Sequence, residues 1–281
     1  MRLASNSALV TLAHVEHVMG TTVSFDVRVD TTRVSSARDA VAQAIEWLHQ
    51  VDEIFSTYKP MSDISRLGRG EVGIDACHPE VRMVLALCSE CQRETGGYFT
   101  ARYAGHIDPT GLVKGWAIAR AGQLLARQGI RHVLVNGGGD IWAQAGKAGD
   151  EPWQIGIVHP TEPGAYAAVL RLFSCAVATS GVSQRGAHIV DPFTGRPATT
   201  WASATIVGPD LVRADAYATA ALAMGEAAPR WLATLGTYEA LLIRPDGTGW
   251  WSDGFPSLCT TLNGPSAEVL RPAGTPARRV R

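Results

Sequence analysis

VRADAYATAALAMG, residues 212–225, sets Asp215 and Thr219 four positions apart in an apolar, alanine-rich run. That spacing reads as a helix with a carboxylate and a hydroxyl on one face. Pro209 and Asp210 supply a turn and an N-cap just before it, and Gly225 closes it. Two oxygen donors near a helix start suit a hard cation such as Mg²⁺, which keeps positions open for water or phosphate. The same residues also suit a plain cap and ordinary helix packing, and the rest of the chain decides between the two.

Outward from that helix, the chain alternates strands and helices. Residues 22–29 alternate as a half-buried strand, and a long helix follows over 36–56, with Val41, Ala44, Ile45, Leu48, Val51 and Phe55 on one stripe. STYKPMSDISRLGRG reads as a turn-rich loop. Helices are expected over 79–94, stopped by Gly96 and Gly97, and over 114–128, stopped by Gly129. A buried strand over 132–136 runs into Gly137-Gly138-Gly139-Asp140, which reads either as a tight turn or as a loop that lets backbone approach a ligand. Further strands are expected near 153–159, 167–173 and 203–207, then a short helix near 229–235 and a strand pair over 238–251 turned at Pro245-Asp246-Gly247.

The 281 residues fit one large domain, expected over 1–264, with a disordered Pro/Gly/Ala-rich tail over 265–281 that carries Arg271, Arg278, Arg279 and Arg281. The 25 basic against 26 acidic side chains give no field that argues for nucleic acid or an anionic membrane. Five cysteines without framework spacing favour reduced thiols. Cys88 and Cys91 form a CxxC inside a helical pattern, with no second pair to complete a zinc site. The sequence shows no signal-peptide pattern, no lipobox and no apolar run of about 18 residues, so a soluble cytoplasmic protein without a membrane anchor is expected.

Several motifs fall in a fixed order: Met19-Gly20-Thr21, Ser56-Thr57-Tyr58, Asp63-Ile64-Ser65-Arg66-Leu67, Gly96-Gly97-Tyr98-Phe99, and residues 108–117 with Asp108, Gly111 and Lys114. Then come residues 135–141, Ala178-Thr179-Ser180-Gly181, His188-Ile189-Val190-Asp191-Pro192 and the helix of Asp215 and Thr219. In this order, over the chain to about residue 245, they resemble the ApbE family of FAD:protein FMN transferases. The resemblance implies a T-fold-like α/β (α+β) architecture of mixed sheets packed with helices. It implies Mg²⁺-dependent cleavage of FAD, attachment of FMN through a phosphoester to a Thr or Ser of a target protein, and release of AMP.

By the family pattern, the metal falls to the main-chain carbonyl of Gly111 with Asp215 and Thr219. Flavin contacts fall on Met19, Tyr58, Tyr98, Phe99, Thr100, Asp108, Lys114 and Ile189. Mn²⁺ accepts the same oxygen ligands as Mg²⁺. Phosphoryl transfer needs charge neutralised on the bridging and leaving oxygens, which a cation with Lys114 supplies. His188, with an ordinary pKa near neutrality, is the candidate general base beside Asp191, itself expected to cap a turn.

The chain departs from the pattern in two places. The segment between Phe99 and Asp108 is short, and Thr100 stands where the family carries Asp. A flavin carrier without turnover, and a FAD pyrophosphatase giving FMN and AMP, are therefore alternatives. No convincing acceptor threonine motif occurs in the chain, so the acceptor is expected to be another protein.

Overall fold

The computed structural model describes residues 9–103, 105–145, 151–181 and 189–262. The expected tail over 265–281 lies outside them, as does His188. In chain order the elements are β1 (Leu9–Val18), β2 (Thr21–Asp30), α1 (Val34–Phe55), α2 (Asp63–Gly68), α3 (Pro79–Glu94), β3 (Arg102–Tyr103), β4 (His106–Ile107) and α4 (Thr110–Arg127). The second half holds β5 (His132–Gly137), β6 (Asp140–Gln144), β7 (Trp153–Val158), β8 (Tyr166–Leu172), β9 (Ser174–Gly181), β10 (Ser203–Gly208), α5 (Leu211–Met224), α6 (Ala228–Leu232), β11 (Glu239–Ile243), β12 (Gly249–Trp251) and β13 (Cys259–Leu262).

Eight strands form one sheet in the order β1-β2-β5-β6-β9-β10-β11-β12, antiparallel at every pairing. A second sheet, β13-β8-β7, is also antiparallel. The fold is α+β, with sheets packed with helices as expected, and the sheets are antiparallel. From β5 onward the strands of the large sheet alternate sides and feed two cores, while β1 and β2 feed the helical one. Val133, Val135, Ala204 and Ile206 meet the helices, where the buried faces of α1, α4 and α5 pack. Leu134, Val177, Leu241 and Ile243 meet Ile155, Ile157 and Leu170 of the small sheet on the opposite side.

The local reasons for the helices are readable. Pro79 starts α3 and Gly96 and Gly97 follow its end. Asp210 accepts the Val212 N–H at 2.9 Å and caps α5. The structure starts α4 one turn before Lys114, because Asp108 Oδ1 accepts the Thr110 N–H at 3.0 Å and holds the chain in a turn that continues into the helix. Glycine at position 111, a poor helix former, hides that first turn in the sequence. The loop after α1 contains α2, capped by Ser62, whose Oγ accepts the Ser65 N–H at 3.2 Å. Strands β1, β3, β4, β6, β9 and β13 were not expected. β1 is an edge strand whose charged and apolar side chains both face solvent, so its sequence carries no clean alternation.

Two tight hairpin turns lie side by side at one end of the large sheet. Met19 and Gly20, with φ of 57° and 67°, join β1 to β2. Gly138 and Gly139, with φ of 61° and 98°, join β5 to β6, and Asn136 Oδ1 accepts the Gly139 N–H at 3.0 Å. Positive φ at both central residues matches the right-handed twist of the flanking strands. A side chain on Gly138 would also come within 2.6 Å of Thr21 Oγ1.

Candidate active site

Helices α4 and α5 approach closely where α4 presents glycine at positions 111 and 115. A Cβ on Gly115 would fall 2.8 Å from both Asp215 Cβ and the Leu211 carbonyl oxygen; one on Gly111 would fall 3.6 Å from Thr219 Oγ1. Gly111 and Gly115 thus face Thr219 and Asp215, four residues apart on each helix. Across this seam the Gly115 N–H donates to Asp215 Oδ2 at 2.9 Å. Thr219 Oγ1 lies 3.3 Å from Ser180 Oγ on β9.

Asp215 is 2% exposed. Burial pushes its carboxyl well above the usual carboxylate range, and the neighbouring Asp140 carboxylate pushes it further, against the opposing pull of Lys114 and of the Gly115 N–H. Asp140, 1% exposed at the start of β6, places Oδ2 2.8 Å from Lys114 Nζ, a charge-to-charge contact without hydrogen-bond alignment. Its Oδ1 accepts the Thr179 N–H at 3.4 Å. The floor of the site therefore holds two buried acids and one ammonium.

Above this floor opens a cleft of about 390 Å³. Of the residues singled out in the sequence, it brings together Tyr98, Phe99, Thr100, Asp108, Gly111, Lys114, Ile189, Asp215 and Thr219. Tyr98 stacks edge-on against Phe193 with ring centroids 4.9 Å apart, making an aromatic wall. Thr100 makes a local turn, its Oγ1 accepting the Arg102 N–H at 3.1 Å and lying 3.0 Å from the Arg102 carbonyl. Asp191 caps the turn expected for it, accepting the Phe193 N–H at 2.9 Å and the Thr194 hydroxyl at 2.8 Å.

Two of the singled-out residues are not on the cleft wall. Met19 occupies the β1–β2 turn and packs against the helical core, and Tyr58 stands 94% exposed on the loop after α1. Gly138, from the loop read as letting backbone approach a ligand, also lines the cleft; sequence reasoning did not single out His106, which lines it too, or the pairing of Asp140 with Lys114. Only the expected turn gave a signal for Asp140, and nothing local pointed to its partner 26 residues earlier.

Among the described residues no group of three or more His, Cys, Asp or Glu side chains converges as a metal site. A cation here would draw on the Asp215 carboxylate together with the Thr219 hydroxyl and the Gly111 main-chain oxygen. Such hard oxygen donors, beside a second buried acid at Asp140, suit Mg²⁺ rather than a thiophilic ion.

The ApbE family model matches residues 19–108 and 101–242. The chain belongs to the ApbE family. It is 35% identical over 159 residues to the FAD:protein FMN transferase of Treponema pallidum, an alignment covering 50% of this chain and 44% of that protein. With the protein of the same description from Vibrio cholerae it shares 30% identity over 157 residues, covering 49% and 44%. The chain spans about half the length of the curated relatives it matches. The solved structure of the flavin transferase ApbE from Vibrio cholerae superposes with a TM-score of 0.75 at 20% identity, covering 89% of this chain and 100% of that one. At that identity the likeness establishes the ApbE fold.

Proposed function

We propose that this chain is a Mg²⁺-dependent flavin transferase that uses FAD as donor and a Thr or Ser of another protein as acceptor. The hydroxyl oxygen of the acceptor forms a bond to the phosphorus next to the riboflavin. The pyrophosphate P–O bond on that side breaks, and AMP leaves with the bridging oxygen. The observation that carries this reading is one cleft holding an aromatic wall, a lysine and a buried carboxylate–hydroxyl pair. Family membership gives it its direction.

The roles follow from the chemistry. Tyr98 and Phe99 offer apolar aromatic surface to a flavin ring, with Ile189 beside them. Asp108 and Thr100 supply polar groups at the same wall. Lys114 brings a positive charge to the phosphates. Gly111, Asp215 and Thr219 would hold the cation, which when bound withdraws charge from the phosphate oxygens; Mn²⁺ can serve in the same ligand set. His188 is proposed as the base that takes the acceptor's proton. Among the described residues no helix is long and apolar enough to cross a membrane, and all five cysteines are free, which supports a cytoplasmic setting.

The test is incubation with FAD and an acceptor peptide, with Mg²⁺ or with EDTA, following nucleotides by chromatography. Mg²⁺-dependent AMP together with flavin on the peptide is expected. AMP with only free FMN would replace the transferase by a pyrophosphatase, and tightly bound intact FAD would replace it by a carrier.

A further inference from the structure

We propose that Asp140 is the resident counter-ion of Lys114, and that by seating the ammonium it reserves the Asp215 carboxylate for a divalent cation. The proposal rests on the reading of Gly111, Asp215 and Thr219 as a cation site.

Three observations carry it. First, Asp140 is as deeply buried as Asp215, and the β5–β6 turn fixes where it points. It pairs with Gly137 across Gly138 and Gly139, and its parity along β6 matches Trp142, which faces the helices, while Ile141 and Ala143 face the small sheet. Second, Oδ2 lies 2.8 Å from Lys114 Nζ and Oδ1 accepts the Thr179 N–H at 3.4 Å, so Asp140 stands between Lys114 and β9. That contact makes Asp140 a positioning residue for Lys114. Third, Lys114 lies within electrostatic reach of both acids, and one oxygen of Asp215 is already oriented by the Gly115 N–H.

The charge count gives the consequence. With Asp140 present, the floor offers two carboxyl groups to one ammonium, and the ammonium has a seat away from the proposed ligands. Without Asp140 a single carboxyl group is left for both the ammonium and an incoming cation. Lysine is a compact charge on a flexible stem, so Lys114 would then pair with Asp215, and an incoming cation would have to displace it. Asp140 therefore sets cation affinity through Lys114.

The test is calorimetric titration of Mg²⁺ into the flavin-free protein, for the unaltered chain, Asp140→Asn, Lys114→Met and the double variant, with folding of each checked by its thermal melt. Asp140→Asn is expected to weaken Mg²⁺ binding by about tenfold or more, and Lys114→Met added to it to restore affinity to within roughly threefold, since close buried charges act strongly on one another. Lys114→Met alone is expected to bind Mg²⁺ more tightly, which keeps the proposal testable should Asp140→Asn not fold. Unchanged affinity in Asp140→Asn, or unchanged or weaker affinity in Lys114→Met, overturns the proposal and leaves the cation site standing. Equal weakness in Asp140→Asn and the double variant also overturns it, by making Asp140 a ligand. Failure of the unaltered protein to bind Mg²⁺ overturns the cation site itself.

Discussion

Val133 and Val135 face the helices while Leu134, between them, faces the small sheet, and the same alternation runs through β9, β10 and β11. The two faces of one sheet thus grow from the same strands, yet they are built for different ends. The small-sheet side packs Ile155, Ile157, Leu170 and Phe255 against Leu241 and Ile243 and, among the described residues, buries no carboxylate. The helical side gives up part of its packing to two buried acids, and it leaves Gly111 and Gly115 bare so that α5 can come close. Burying charge costs stability unless it is paired. The contrast teaches that the helical side spends stability on binding, while the small-sheet side supplies stability.

That contrast can be broken at four points. The largest effect is expected at Asp215. Asp215→Asn should lower flavin transfer by several kcal/mol in the barrier, about 100-fold or more, and remove any Mg²⁺-dependent rise in Tm. The apo melting temperature should hold or rise, because a carboxyl whose ionisation burial and Asp140 both oppose has been removed. Transfer kinetics paired with differential scanning fluorimetry would show both, and near-normal turnover would take Asp215 out of the site.

On the opposite face, Ile155→Ala should cost about 2–5 kcal/mol in urea unfolding. Transfer per folded molecule should stay within roughly twofold, because the change is remote from the cleft. A comparable loss of both would mean that the two faces are not separable.

Gly115→Ala sits between these cases. Its Cβ would meet Asp215 and the Leu211 carbonyl at 2.8 Å, so the helices must part, at a cost of about 1–3 kcal/mol. Mg²⁺ affinity should fall in the same variant. Loss of stability with unchanged Mg²⁺ affinity would show that the close crossing serves packing alone.

The smallest effect concerns α3. Burial pushes the thiols of Cys88 and Cys91 up to about 12 from an ordinary 9.0. Thiols with raised pKa in the folded state bind protons more tightly there than in the unfolded chain. Their contribution is complete below pH 9 and is lost as pH rises toward 12. Native protein at pH 8 should leave both unmodified by iodoacetamide, with labelling appearing on unfolding. Rapid native labelling would contradict their burial.

What the sequence could reveal tracks how local each signal is. α3 and α5 were legible at nearly their observed bounds because proline, an aspartate cap and glycines mark their ends. The Asp191 turn was legible because a cap acts within three residues. Most cleft residues were found through ordered motifs rather than through periodicity. Strands β6 and β9 escaped because short runs such as DIWAQ carry little pattern of their own, and the pairing of β6 with β9 joins distant parts of the chain. Gly111, Asp215 and Thr219 were grouped only through the family pattern, and the place of Gly115 against Asp215 escaped, since it joins residues 100 apart. Tyr58 shows the converse: its motif was clear, and the structure leaves it on the surface.

The most direct measurement is the intact mass of an acceptor protein after incubation with this chain, FAD and Mg²⁺, beside parallel samples with EDTA and with Asp215→Asn. The account predicts one FMN added by phosphoester to a Thr or Ser, with an equal amount of AMP, in the Mg²⁺ sample alone. An unmodified acceptor with intact FAD, or the same modification in the presence of EDTA, would contradict it.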